Sequence, residues 1–176
     1  YSSEFFVDQM IEFIEEDKEM DSPFFAYLSF QAQHIPLQAP QAFIDKYLTT
    51  YEEGWDILRE QRKNKAVEKG IFPPDKKMVD SMSTLDSWSA LDQESKKMII
   101  KSMAVFAGML DAMDFHIGRF ITYLKKEGLY ENTIFIVTAD NGPEGNDPSD
   151  HAPWREWFKT TLYDRDYKTL GDQDSY

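Results

Sequence analysis

The stretch IFIVTADNGPEG, residues 134–145, decides how the chain is read. A run of apolar, β-favouring residues stops abruptly at Asp140, Asn141 and Gly142. With Thr133 added, TIFIVTA (133–139) is rich in β-branched side chains, which fit a pleated, packed surface. It is apolar throughout rather than alternating, so it predicts a strand covered on both faces, as in a parallel sheet. The Asp-Asn-Gly that ends it has two readings. Asn-Gly and Asp-Asn pairs make tight turns. A carboxylate beside a carboxamide also offers hard oxygens to a cation such as Ca²⁺, whereas Zn²⁺ more often recruits nitrogen or sulfur.

Upstream, Asp92 to Lys126 carries the strongest helical signal. Ile99, Met103, Phe106, Leu110, Met113, Ile117, Phe120 and Leu124 recur every three or four residues, a stripe about nine turns long. Gly128 stands where a helix C-cap is expected. Further upstream, PFFAYLSF (23–30) is a second nearly continuous apolar run of strand length. Strand, crossover helix and strand predict a βαβ unit on a parallel sheet, an α/β fold. Two strands do not complete such a sheet, so its other strands are expected outside this chain.

The remaining elements are helices and loops. Ser2 and Ser3 are candidate caps for a helix that runs toward Glu19, with Phe6, Met10, Phe13 and Ile14 on one face. QAQHIPLQAP (31–40) holds two prolines and reads as a loop leaving the first strand. Gln41 to Tyr47 and Glu52 to Lys69 read as helices, while 78–91 has no clear period.

The chain has 176 residues, 41% apolar and 15% aromatic, and is therefore globular. Its formal charge of −13 argues against a nucleic-acid partner, which needs a basic face. No apolar run approaches the roughly 20 residues of a membrane span. Cysteine is absent, which excludes disulfides, thiolate metal sites and a cysteine nucleophile within these residues. The chain opens on Tyr1 and ends in polar sequence, so it is expected to be an internal segment, incomplete at both ends.

Both strand ends deliver polar loops, and in open α/β sheets ligands bind beyond the carboxyl ends of the strands. The first loop carries Gln31, Gln33 and His34, the second Asp140 and Asn141. His34 is either a structural loop residue or a general acid, since imidazole titrates near neutral pH. His116, on the long helix, reads as structural. His151, in PSDHAPW, lies in a loop able to approach the site. Asp111 and Asp114 flank the helical stripe and read as capping or surface partners rather than metal ligands.

Three stretches together resemble the sulfatases of the alkaline phosphatase superfamily, in particular the bacterial arylsulfatases. They are SSEFFVDQMIEFIEE (2–16), PFFAYLSFQAQHIPLQAPQAFIDKY (23–47) and FAGMLDAMDFHIGRFITYLKKEGLYENTIFIVTADNGPEG (106–145). The resemblance implies part of an alkaline-phosphatase-like parallel-sheet sandwich. It implies hydrolysis of sulfate esters, on small molecules or sulfated glycans, with one Ca²⁺ and a formylglycine nucleophile. Asp140 and Asn141 match the family's calcium-binding pair, and His34 matches the histidine that contacts the sulfate and assists departure of the alcohol. A periplasmic or secreted location is implied as well. The motif that yields formylglycine, the early aspartate pair and the Lys-His segment are absent here. Lys159 and Lys168 follow the Asp-Asn pair, but neither is assigned to the family's later sulfate-binding lysine. The segment alone is therefore expected to be inactive. A phosphodiesterase or phosphonate hydrolase of the same superfamily, or a binding domain that keeps the fold, are the rival readings. Many relatives of the first kind hold two zinc ions with Asp-His at the position of Asp140-Asn141, and an amide oxygen in place of an imidazole favours calcium.

Overall fold

The structure, a computed structural model, describes residues 1–17, 22–80, 86–142, 156 and 166–173. Its helices are α1 (Ser2–Glu16), α2 (Gln41–Ile44), α3 (Gly54–Glu68) and α4 (Gln93–Lys126). Short 3₁₀ turns sit at Asp45–Tyr47, Trp88–Ala90 and Tyr130–Asn132.

α4 is the axis, 34 residues that span about 51 Å at the usual rise per residue. Asp92 starts it by accepting the Ser95 backbone N–H at 2.7 Å and the Ser95 hydroxyl at 3.1 Å. Those bonds favour the charged form and hold the Asp92 carboxyl below the usual carboxylate range. Gly128, at φ +71, ends it: the Leu129 N–H turns back to the Leu124 carbonyl at 2.9 Å, the bond of a Schellman cap. α1 also forms as expected, but Tyr1 precedes it without a side-chain cap and Ser3 is buried instead.

Two cores lie along α4. Toward its start, Ala104, Val105 and Met109 pack with Ala39, Ile44 and Leu170. Toward its end, Phe120 and Leu124 pack with Val7 and Ile14 of α1. The face α4 buries is not the expected stripe. Ala104, Gly108, Ala112 and His116 are its centre, and of the predicted residues only Phe120 and Leu124 are buried with them. Leu110 is exposed. Backbone approach decides this. A Cβ on Gly108 would stand 3.1 Å from the Ile44 nitrogen, so α2 docks only where α4 carries small residues. Larger apolar side chains one step round the helix are held further out.

The expected α/β architecture, with strands near 23–30 and 133–139 joined across a crossover helix near 92–127, is overturned. Among the described residues there is no strand, only one isolated parallel bridge between Gln38 and Gly171. The apolar runs are present without a hydrogen-bonded ladder. Ala26, Leu28 and Phe30 are half-buried while Phe25, Tyr27 and Ser29 are exposed, the alternation of an extended chain with one face against α1 and α4. In the second run Ile134, Ile136 and Val137 are 86–91% exposed. A strand is defined by a neighbour's N–H and C=O groups, and no described segment supplies them. Apolar composition marks residues able to join a sheet; it does not provide the partner.

Candidate functional site

The His34 loop is fixed at both ends. On its near side Leu28 and Phe30 rest on the α1–α4 core. On its far side Ala32 and Leu37 pack on the α2–α4 core. Beyond Leu37, the Ala39 N–H donates to the Gly171 carbonyl at 3.1 Å and the Gln38 amide nitrogen to the Gln173 carbonyl at 2.9 Å. His34 thus stands on a turn between two anchored points, with its own N–H bonded to the Gln31 carbonyl at 2.8 Å. Its side chain is exposed. The ring Nδ1 lies 2.6 Å from the Ile35 carbonyl oxygen. A carbonyl only accepts, so Nδ1 carries a hydrogen, and Nε2 is the ring nitrogen outside this bond.

The second loop leaves the same core. The chain passes from α4 through the turn at Tyr130–Asn132, and Tyr130 packs against Leu124 and its neighbours. Phe135 lies on Tyr130, ring centroids 5.5 Å apart. Asp140 and Asn141 follow, both exposed. Asp140 Oδ1 accepts the Asn141 backbone N–H at 3.0 Å, and the Asn141 side-chain nitrogen donates to the Gly142 carbonyl at 2.6 Å. The first bond reaches only the next residue, one short of the two-residue span of an Asx turn, and fixes the carboxylate locally. The two local bonds use one carboxylate oxygen and the amide nitrogen, so Asp140 Oδ2 and Asn141 Oδ1 are the oxygens with capacity for a cation. These local bonds and the metal reading are therefore compatible in one conformation.

Both loops spring from the α1–α4 core, yet no hydrogen bond or ion pair joins His34 to Asp140 or Asn141 among the described residues. Nor do three or more His, Asp or Glu side chains gather around one point among them. Asp140 and Asn141 fit a calcium ion in donor chemistry but not in number, since Ca²⁺ takes about six to eight oxygens. His151, Lys159, Glu144 and Asp147 lie outside the described residues.

His116 is buried and structural in its contacts: Arg119 Nη1 donates to its Nδ1 at 2.9 Å and Arg119 Nη2 to Asp8 Oδ1 at 2.6 Å. Burial first, then the Arg119 charge, push the imidazole below its ordinary value. Asp111 pairs with Lys46 of the α2 turn at 2.7 Å, a surface partner as its position implied. Lys168 lies in the exposed turn before Leu170 and Gly171, its backbone N–H bonded to Asp166 at 2.8 Å. The pinning of the His34 loop by Gly171 and Gln173 had no signal in local sequence, because the partners are about 130 residues apart.

Comparison with known proteins bears on the same residues. The Sulfatase family pattern matches residues 1–173. An arylsulfatase of Klebsiella aerogenes is 32% identical over 176 residues, all of this chain and 37% of that protein. An uncharacterised sulfatase of Schizosaccharomyces pombe is 40% identical over 148 residues, 83% of this chain and 26% of its own length. An arylsulfatase of Clostridium perfringens is 26% identical over 161 residues, 87% of this chain and 27% of its length. The chain thus spans between about a quarter and somewhat over a third of the relatives it matches. With a match that runs through the His34 loop, α4 and the Asp140-Asn141 turn alike, the chain belongs to the sulfatase family.

Proposed function

We propose that this chain is the segment of a sulfatase that presents one acid–base group and two metal-ligand oxygens to a sulfate ester. The observation that carries this is the Nδ1 bond of His34 to the Ile35 carbonyl. It sets the ring's orientation and leaves Nε2 as the proton-exchanging atom, on a loop anchored to both cores.

Hydrolysis of a sulfate ester breaks a bond between sulfur and the ester oxygen. Oxygen from water ends on sulfur, and the departing alkoxide or phenoxide needs a proton. In its protonated form His34 supplies that proton from Nε2 to the ester oxygen. The neutral ring then recovers a proton from solvent, to which the exposed side chain is open. A positioned group of this kind contributes on the order of 10²–10⁴-fold. Asp140 Oδ2 and Asn141 Oδ1 are two of the oxygens that would hold calcium. Bound there, calcium would set a fixed positive charge against the sulfate oxygens, and a formylglycine outside these residues would supply the nucleophile. Nucleophilic turnover needs that attacking group, so this chain by itself is inactive toward sulfate esters.

The test is Asp140→Ala in the longer protein that carries this segment. Metal analysis should show calcium lost, and aryl sulfate turnover should fall with it. Full calcium content together with full turnover would remove the Asp140-Asn141 turn from the metal site.

A further inference from the structure

Between α3 and the first half of α4 lies a cavity of about 700 Å³. Tyr51, Trp55, Phe72, Trp88, Ile99 and Met103 give it an apolar wall. Trp55 and Trp88 meet edge to face, ring centroids 5.1 Å apart and planes at 75°. Gly54 permits this. A Cβ there would fall 2.2 Å from the Trp88 indole, and its φ of +79 excludes most other residues.

A smaller cavity of about 340 Å³ adjoins the first and shares Arg59, Lys63 and residues 78–80 with it. Arg59, Arg62, Lys63 and Lys77 line the two spaces against Asp56, Glu60 and Asp80. Two of those carboxylates are engaged: Asp56 accepts the Trp88 backbone N–H at 3.4 Å, and Glu60 stands 4.0 Å from Lys63. Arg59 donates to the Val79 carbonyl, which holds residues 77–80 across α3. In a chain of net charge −13, cations here outnumber carboxylates, a local reversal of sign.

Small-molecule sites occupy roughly 300–1,000 Å³, are mostly apolar, and carry a few polar groups that fix orientation. Indole faces stack on flat rings, and guanidinium and ammonium groups recognise carboxylate, sulfonate or sulfate oxygens. We propose that this cleft binds a small aromatic monoanion. Its ring lies in the apolar chamber beside Trp55 and Trp88, and its charged group lies toward Arg62, Lys63 and Lys77. None of these residues belongs to the His34 or Asp140-Asn141 loops, so the site stands or falls apart from the sulfatase reading.

The test is a titration of the full 176-residue chain with naphthalene-2-sulfonate, followed through the indole N–H resonances of Trp55 and Trp88. One saturable curve is expected at both resonances, with weaker binding of the uncharged 2-naphthylmethanol. Arg62→Gln with Lys77→Gln should raise Kd about tenfold, the scale of two partly exposed charge contacts. Both side chains are exposed, so the fold should survive, as circular dichroism would verify. If the double variant does not fold, Lys63→Gln alone is expected to raise Kd about threefold. Lys97→Gln, on an exposed lysine paired with Glu94 outside the cavity, should leave Kd unchanged. Failure to saturate, equal affinity for the alcohol, or an unchanged Kd in the cleft variants would overturn the proposal.

Discussion

At the scale of single residues, buried His116 makes the clearest pH-dependent contribution. Its imidazole is held below the ordinary 6.5 by burial and by Arg119, against a weaker opposing pull from Glu4 and Asp8 of α1. The unfolded chain therefore binds a proton near pH 6.5 that the folded chain refuses. Stability from this group is complete above that pH and is lost as pH falls through the lower folded value. Melting temperatures measured at pH 8 and pH 5.5 should drop more for the natural chain than for His116→Gln, which has no such titration. An equal drop would mean that the surrounding carboxylates, not His116, set the acid sensitivity. Leu124, fully buried between α1 and α4, gives the residue-scale packing test. Leu124→Ala should cost roughly 2–5 kcal/mol in denaturant unfolding, the range for large-to-small core changes.

At the scale of elements, the contact of α2 with α4 rests on Gly108. Its approach to the Ile44 backbone leaves no room for a branched side chain. Gly108→Val should destabilise by about 1–3 kcal/mol through overpacking, read as a lower denaturation midpoint with the slope unchanged. A neutral substitution would place α2 elsewhere. The two apolar runs make the opposite prediction. Val137 is 91% exposed, so Val137→Ser should change the stability of this chain by no more than about 0.5 kcal/mol. A loss of several kcal/mol would mean that the run is buried in a sheet after all.

The same elements show what the sequence carries. α4 is legible because its period and its ends are local: Asp92 binds Ser95 three residues on, and Gly128 takes the positive φ of a C-cap. Its buried face is not, because Ala104, Gly108 and Ala112 are chosen by what approaches them rather than by their own hydrophobicity. The strands failed for a related reason: Pro23 to Phe30 and Thr133 to Ala139 have the composition of a sheet but no described neighbour to pair with. His34, Asp140 and Asn141 are readable as candidates from their place after apolar runs, but the roles proposed for them come from family resemblance. The Nδ1 bond of His34 was not readable at all, since the adjacent residue's carbonyl makes it only in one loop conformation.

At the scale of the whole molecule, the chain covers 26–37% of its relatives' lengths, and the calcium site proposed for it rests on two residues, Asp140 and Asn141. Calorimetry on this chain alone should find Ca²⁺ binding no tighter than about 10⁻³ M, the weak end for protein sites, because two ligand residues fall short of six oxygens. A tight single site would require further ligands from within these residues. The central claim, that His34 delivers a proton to the departing group, is tested most directly in the longer protein. Turnover of His34→Ala should be compared with the natural enzyme across a series of sulfate esters graded by the acidity of the alcohol released. The account predicts a loss approaching 10²–10⁴-fold for alkyl or sugar sulfates, whose alkoxides need a proton, and a much smaller loss for nitrophenyl sulfate. A loss of the same size for every ester, or none for any, would contradict it.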